Sequence, residues 1–155
     1  MSRVRTGALI VVAQNESLAD YESTGIAVDG LVSSQLLINI FEKNTPLHDG
    51  AVIIRGDRVT SATCYLPLSE NTGLSKALGT RHRAGIGISE ATDSVTLIVS
   101  EENGMISAAY QGELKRGLNQ EGIEEVLAKI QNKTTEDRKL RLWKGRAKNE
   151  KKADS

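Results

Sequence analysis

Cysteine, proline and aromatic side chains are scarce in this chain. Its 155 residues include one cysteine and two prolines, and aromatic residues make up 3%. A single cysteine excludes an intrachain disulfide and suits a reducing compartment. Because Cys64 lies in an apolar run, we interpret it as a small buried residue rather than a reactive thiol. With so few aromatics, the core must be built from Ile, Leu, Val and Ala.

Long apolar runs and several familiar sequence signatures are also missing. No stretch approaches the roughly 20 apolar residues of a membrane span, and no signal peptide is visible. The sequence contains no P-loop, no dinucleotide-binding glycine fingerprint, no C-x-x-C pair and no H-E-x-x-H pattern. The chain runs abruptly into an apolar segment at Ala8, so we expect it to be a domain excised from a longer protein.

Charge is balanced over the whole chain but unevenly distributed. Residues 1–132 carry 11 Lys or Arg against 16 Asp or Glu, whereas residues 133–155 carry 9 against 4. We predict a folded, mildly acidic domain over 1–132 and a basic, mobile tail over 133–155. An acidic body lacks the basic face of a dedicated nucleic-acid binder, so no nucleic-acid partner is expected. Any site that binds an anion must therefore take its positive charge from a local group of residues.

Hydrophobic patterning predicts strands mixed with helices. Short β-branched runs predict five strands, at 8–13, 51–54, 59–66, 94–100 and 105–110. Caps and helical spacing predict a helix from Ser33 or Ser34, a helix over 80–91 and a last helix from Asn119. Residues 15–32 are predicted to be a loop. Hairpins together with longer crossovers indicate one α/β domain, with a central mixed sheet flanked by helices.

Residues 45–51, between a predicted helix and a buried strand, form the first candidate site. Asp49-Gly50 alone is a common turn signal, and a plain turn is an open alternative. A carboxylate at the mouth of an apolar strand is also well placed to hold a metal or take a proton. Gly50 would let a ligand approach the backbone closely, and His48 is a second candidate ligand.

Residues 79–85 form the second candidate site. Arg81 and Arg83 flank His82 at the predicted start of a helix, and Thr80 lies beside them. A helix N-terminus attracts anions, and arginine adds permanently charged, bidentate contacts to phosphate. This pattern favours phosphate binding over the alternative of a solvated basic turn. Later glycines at 85 and 87 would each weaken the helix by about 1 kcal/mol relative to alanine.

Residues 100–104 end a predicted strand, and by themselves they indicate an acidic hairpin turn. Together the three segments supply phosphate contacts plus carboxylates for a metal. That combination is typical of chemistry at a nucleotide phosphate. Residue types alone do not identify the base, the product or the nucleophile.

The triplet Asp49-Gly50-Ala51, followed about thirty residues later by Arg81-His82-Arg83, resembles the paired DGA and RHR motifs of the diadenylate cyclase family. Either triplet alone is a weak signal, whereas the combination is highly specific. The resemblance covers roughly residues 6–118 and is densest at 44–51, 64–69, 78–84 and 99–104. The chain is most similar to the membrane-anchored type, because it lacks the helical DNA-binding segments that follow the cyclase domain of the DNA-scanning type.

The resemblance implies that two ATP molecules are joined into cyclic di-AMP, with release of two pyrophosphates. Each subunit of a face-to-face homodimer would bind one ATP, and each ribose 3′-hydroxyl would attack the α-phosphate of the other ATP. The implied cofactor is a divalent metal, Mn²⁺ or Mg²⁺. Further implied features are a cytoplasmic location below a membrane anchor and two partners, a membrane regulator and a phosphoglucosamine mutase.

The resemblance also implies roles for individual residues. The implied catalytic residues are Asp49, Gly50, Ala51, Arg81, His82 and Arg83. The implied substrate contacts are Tyr65 and Leu66 at the adenine, and Thr80, Ser100 and Glu101, with the RHR residues, at the phosphates. The implied metal ligands are Asp49, His48 and Glu102. Within this scheme Asp49 activates the 3′-hydroxyl, and the arginines offset the charge that builds up at phosphorus.

Two other functions stay open at this point. The same fold could bind a nucleotide without catalysis, and product formation from ATP would distinguish the two. Alternatively, the chain could be an interaction or nucleic-acid module that works through its tail. Salt-dependent nucleic-acid binding that is lost on deleting residues 133–155 would support that reading.

Overall fold

The computed structural model describes residues 7–42, 49–71, 73 and 78–128. Helices and strands are mixed along the chain, as the patterning predicts. In chain order they are β1 (Ala8–Val12), α1 (Ala19–Glu22), β2 (Ile26–Leu31), α2 (Ser34–Ile40), β3 (Ala51–Arg55), β4 (Arg58–Cys64), α3 (Thr80–Ala91), β5 (Val95–Val99), β6 (Ile106–Tyr110) and β7 (Glu113–Lys115).

All seven of these strands belong to one mixed sheet, in the order β2-β4-β3-β1-β5-β6-β7. β1 pairs parallel with β3, and the remaining neighbours pair antiparallel. The β3–β4 and β5–β6 hairpins supply antiparallel pairs, and the crossover from β1 to β3 supplies the parallel one. The predicted mixed sheet with flanking helices is confirmed.

Alternating side chains give the sheet two apolar faces. On one face, α3 packs through Ala84, Ile86 and Ile88 against a cluster that includes Val11 and Ile98. The opposite face carries a second cluster beside α2 and its C-cap; its members include Ala8, Ile10, Ile40, Phe41, Val52 and Val99. α2 begins as predicted, since the Ser33 hydroxyl accepts a hydrogen bond from the Leu36 N–H at 3.0 Å. The central strands β1 and β3 are therefore covered on both sides.

Two glycines let α3 pack closely. A Cβ on Gly85 would lie 2.7 Å from Ile98 Cδ1, and a Cβ on Gly87 would lie 1.9 Å from the Pro67 carbonyl oxygen. The first glycine brings the helix down onto β5, and the second lets the segment after β4 cross the helix. Their packing role accounts for the glycines that helix propensity disfavours.

The prediction of a loop over 15–32 is wrong. This segment contains α1 and the edge strand β2, which pairs with β4 from Ile26 to Leu31. The short strand β7 was also not predicted. The helix over 80–91 is confirmed at those bounds, and residues 120–128 are helical, as Asn119 predicts. No helix in the described ranges is long and apolar enough to cross a membrane.

By its internal contacts the chain divides into two compact units, Met1–Asn119 and Gln120–Ser155. The second unit is described only over 120–128, where Ile123, Val126 and Leu127 are half-buried. The predicted tail over 133–155 lies outside the described residues. The boundary at residue 132 stays a prediction.

Candidate functional site

The candidate segments meet at one edge of the sheet. Ala8 at the start of β1 pairs with Val99 at the end of β5. Because β1 and β3 run parallel, the start of β3 lies at the same edge, and Ala51 there pairs with Cys64 at the end of β4. This edge therefore brings together the DGA motif, the segment after β4 and the acidic turn after β5.

The first turn of α3 also reaches this edge. The helix begins at Thr80, after Gly79 in an extended conformation (φ −79°, ψ −179°) with no side-chain cap. The N–H of Arg83 donates to the Gly79 carbonyl at 3.2 Å, which closes the first turn. The earlier amides of a helix have no acceptor within it, so they are available to an anion.

The turn after β5 is held by its own hydrogen bonds. The N–H of Ser100 donates to the Met105 carbonyl at 3.0 Å, and the N–H of Gly104 donates to the Ser100 carbonyl at 2.8 Å. The Ser100 hydroxyl accepts from the Glu102 N–H at 3.2 Å. The acidic hairpin turn that the sequence indicates is present, and it holds the two glutamates on a well-defined backbone.

A pocket of about 160 Å³ lies between the start of α3 and this turn, and we call it the α3 pocket. Six predicted site residues line it, namely Thr80, Arg81, His82, Ser100, Glu101 and Glu102. Across it, Arg81 Nη1 lies 3.3 Å from Glu101 Oε1. Pockets that enclose a whole small ligand usually start near roughly 300 Å³. The α3 pocket therefore suits the phosphates of a nucleotide rather than the entire molecule.

Arg116, which follows β7, also lines the α3 pocket and was not predicted. His82 is 9% exposed, and burial lowers its pKa. The nearby Arg116 charge lowers that pKa further, and Glu102 opposes the shift. Since the ordinary histidine pKa is about 6.5, His82 is mainly neutral at pH 7 and can donate an N–H without adding charge. The positive charge of the pocket comes from Arg81 and Arg116.

Asp49, Gly50 and Ala51 form what we call the Asp49 corner, at the start of β3. Asp49 is exposed, while Ala51 is fully buried. Gly50 has a φ of +79°, and a Cβ there would lie 2.8 Å from the Thr63 carbonyl carbon. Thr63 is itself left-handed, with a φ of 54°, where the β3–β4 register shifts. The Gly50 and Thr63 backbones thus pack closely, and this packing fixes the backbone that carries the Asp49 carboxylate.

Tyr65 and Leu66, the predicted adenine contacts, follow β4. Tyr65 is 76% exposed, and its backbone N–H donates to the Thr24 hydroxyl at 2.9 Å. Leu66 is half-buried against the core on the α3 face. An exposed aromatic ring on an anchored backbone is available for stacking on a base.

The segment that carries these two residues is fixed to α3. The N–H of Ser69 donates to the Arg83 carbonyl at 3.0 Å, and the Ser69 hydroxyl donates to Glu90 Oε1 at 2.6 Å. The structure thus ties the segment after β4, which carries Tyr65 and Leu66, to the helix that bears the RHR motif.

Carboxylate side chains are the candidate ligands for a divalent metal at this edge of the sheet. Within the described part of the chain, no three His, Cys, Asp or Glu side chains form a metal cluster. Mg²⁺ at nucleotide sites usually takes one or two carboxylates plus phosphate oxygens rather than an all-protein cage. Glu102 lines the α3 pocket and could supply one such carboxylate, and Asp49 is exposed at the same edge of the sheet. His48 lies outside the described residues.

The predicted site residues therefore fall into two groups. Those of the α3 pocket surround one space, whereas the Asp49 corner, Tyr65 and Leu66 lie at the same sheet edge without lining that pocket. Arg83 is half-buried one residue beyond the pocket lining. The individual roles of these residues stay predictions. Arg116 could not be found from the sequence, because it matches no motif and reaches the pocket only through the β6–β7 hairpin.

Comparisons with known proteins show the family of this chain. The family model described as "DisA bacterial checkpoint controller nucleotide-binding" (DAC) matches residues 1–114. Cyclic di-AMP synthase CdaA from Bacillus subtilis is 51% identical over 148 residues, which is 96% of this chain and 54% of that protein. The chain thus spans about half the length of this curated relative.

Two solved structures are also similar. A double cysteine mutant of DacA from Staphylococcus aureus is 52% identical, with a TM-score of 0.82 over 84% of this chain and 87% of that one. A hypothetical membrane spanning protein from Bacillus cereus is 43% identical, with a TM-score of 0.74 over 76% of this chain and 58% of that one. The chain therefore belongs to the diadenylate cyclase (DAC) family.

Proposed function

We propose that this chain is the catalytic domain of a diadenylate cyclase, which joins two ATP molecules into cyclic di-AMP. The observation that carries the proposal is the α3 pocket. It combines the free end of a helix, two arginines and two glutamates at the edge where the Asp49 corner also lies. A relative named for cyclic di-AMP synthesis supports the product.

The α3 pocket is proposed to hold ATP phosphates. Two ATP molecules bring about eight negative charges together, and residues 1–132 carry a net charge of −5 from 11 Lys or Arg and 16 Asp or Glu. Local cations must offset this repulsion. Thr80, Arg81, His82 and Arg83 would bind the phosphates, with Ser100 and Glu101 at the edge of the site. As negative charge builds up on the phosphoryl oxygens, Arg81 and Arg83 would stabilise it.

The Asp49 corner is proposed to prepare the nucleophile. Asp49 would accept the proton of the ribose 3′-hydroxyl, directly or through a metal-bound arrangement, while Gly50 and Ala51 pack close to the ribose. Tyr65 would stack on the adenine, and Leu66 would contact it through its backbone. The exposed Tyr65 ring and the firm backbone at Gly50 support this arrangement.

The proposed reaction takes place between two subunits that meet face to face, each with one ATP. A bond forms between each 3′-oxygen and the α-phosphorus of the other ATP. The bond from that phosphorus to the bridging oxygen of the β-phosphate breaks. Two phosphodiester bonds form, two pyrophosphates leave and two protons are released. No oxidant or reductant is involved.

Mn²⁺ or Mg²⁺ is proposed as the cofactor, with Asp49, His48 and Glu102 as its ligands. When bound, it would supply charge neutralisation at the phosphates and lower the pKa of the attacking hydroxyl. In the whole protein we propose a cytoplasmic domain attached to a membrane anchor. A neighbour described as membrane spanning supports this location. A membrane regulator and a phosphoglucosamine mutase are proposed partners.

The test is product formation from ATP with Mn²⁺ or with Mg²⁺, followed by chromatography and mass spectrometry. We expect cyclic di-AMP from the parent, and a rate lower by about 10²–10⁴-fold for Asp49→Asn, which keeps the shape but loses the proton acceptor. ATP affinity should be nearly unchanged in that variant. ATP binding without product from the parent would instead favour a nucleotide-binding module.

A further inference from the structure

Gly7 lies directly before β1, between the two parts of the site. It is buried, and its neighbour Ala8 pairs with Val99, the last residue before the acidic turn. β1 itself lies between β3, which begins at the Asp49 corner, and β5, which ends at the α3 pocket. The backbone of Gly7 thus lies at the same edge of the sheet as the Asp49 corner and the α3 pocket.

The guanidinium of Arg81 rests against this glycine. A Cβ built on Gly7 would lie 2.6 Å from Arg81 Cζ, 2.7 Å from Nη1 and 3.1 Å from Nε. Non-bonded carbon atoms normally stay about 3.5–4.0 Å apart. Gly7 is not among the residues with a positive φ, so its backbone would accept alanine. The need for glycine therefore comes from the guanidinium and not from the conformation of the chain.

Glu101 contacts the same guanidinium, with Nη1 and Oε1 3.3 Å apart. The Glu101 side chain is 59% exposed, and an exposed ion pair alone fixes a long side chain only weakly. The Arg81 side chain is nevertheless only 28% exposed. Close packing on the Gly7 backbone supplies the restraint that the ion pair lacks.

We infer that Gly7 is a positioning residue, which fixes the Arg81 guanidinium at the depth where it meets the nucleotide phosphates. The inference rests on the proposed function, since it assigns the ligand of Arg81 from that proposal. In a Gly7→Ala variant, the guanidinium must move about 1 Å to regain normal contact with the new methyl group. Displacements of that size near reacting groups can reduce rates by about 10²-fold.

In Gly7→Ala, we expect a loss of affinity only for ligands that carry phosphate. The atoms in the way belong to the end of a flexible side chain, so Gly7→Ala should fold and melt like the parent. ATP affinity in the presence of Mn²⁺ should fall about 10-fold, within the range for a misplaced charged contact. Affinity for adenosine, which has no phosphate, should stay unchanged.

The experiment compares the parent, Gly7→Ala, Arg81→Ala and the double variant by calorimetric titration with ATP and with adenosine. Gly30→Ala is the matched control. It also places a methyl group near one side-chain end, 3.2 Å from Leu36 Cδ2, but in the edge strand β2. We expect parent-like ATP affinity for Gly30→Ala. In the Arg81→Ala background, Gly7→Ala should cause no further loss.

Three results would overturn the inference alone while the parent binds ATP. These are equal ATP affinity in Gly7→Ala and the parent, an equal loss for adenosine, and a loss that persists without the Arg81 side chain. A parent that binds no ATP and forms no cyclic di-AMP would overturn the proposed function, and this inference with it. The two failures are thus distinguished by the parent measurement.

Discussion

The α3 pocket and the Asp49 corner lie at the same edge of the sheet but are built by different means. The α3 pocket is made of side chains, with Arg81 paired to Glu101 and a second cation at Arg116. The Asp49 corner is made of backbone, since Gly50 lies in a space that admits no side chain beside Thr63. A charged pocket can bind phosphate, and an exposed carboxylate on a fixed backbone can accept a proton from a hydroxyl group. The difference in construction therefore parallels the proposed division of labour.

Arg81→Ala should cause a large effect on the phosphate side alone, because it removes a charged donor from the α3 pocket. We expect cyclic di-AMP formation to fall by about 10²–10³-fold, the usual cost of losing one such donor. ATP affinity should fall as well, in contrast to Asp49→Asn. Steady-state rates and calorimetric titration would measure both quantities. Arg58→Ala is the control, because Arg58 forms an ion pair at 2.8 Å with Asp29 on the edge strand β2. Unchanged ATP affinity in Arg81→Ala would remove the distinction between the two regions.

Gly87→Ala should destabilise the packing of α3 against the segment after β4. This segment connects the end of the strand beside the Asp49 corner to α3. A methyl group would lie 1.9 Å from the Pro67 carbonyl oxygen, which belongs to the backbone and cannot rotate away. Overpacking of this kind costs about 1–3 kcal/mol, against a helix-propensity gain of about 1 kcal/mol. We expect a net loss in the free energy of unfolding by urea denaturation.

Gly85→Ala is the comparison for that variant. Its methyl group would meet Ile98 Cδ1 at 2.7 Å, the end of a side chain that can shift. The loss in unfolding free energy should therefore be smaller than for Gly87→Ala. The reverse order would show that backbone contact with Pro67 does not determine the cost.

Arg116→Ala should give the smallest of these effects, because Arg116 is exposed. We expect ATP affinity to fall by about 3- to 10-fold, toward the low end for charge-assisted contacts. The Arg116 charge lowers the pKa of His82, so its removal should raise that pKa toward the ordinary histidine value. An NMR titration of the His82 imidazole measures the shift. A pKa that stays constant would place Arg116 too far from His82 to act on it.

The sequence predicted the parts of the structure that depend on local pattern. The α3 bounds follow from the residues around the RHR motif, and the acidic turn follows from its polar residues after a buried strand. β2 was missed because it is a largely exposed edge strand that depends on pairing with β4, and its sequence shows no regular alternation of apolar and polar residues. Pairing between distant segments also places Arg116 and Gly7 at the site. Gly87 was interpreted as a weak point of the helix, since its packing partner Pro67 lies twenty residues earlier in the chain.

The most direct test of the division of labour is a heterodimer of Asp49→Asn and Arg81→Ala subunits, purified through two different affinity tags. In the proposed mechanism, Asp49 of the Arg81→Ala subunit would still activate the ribose bound there. Arg81 of the other subunit would still hold the α-phosphate that this ribose attacks. One of the two bonds can form, so at saturating ATP we predict a linear dinucleotide with a 5′-triphosphate and one released pyrophosphate. Neither homodimer should produce it. A heterodimer that forms no more product than the two homodimers, or that forms cyclic di-AMP like the parent, would contradict the account.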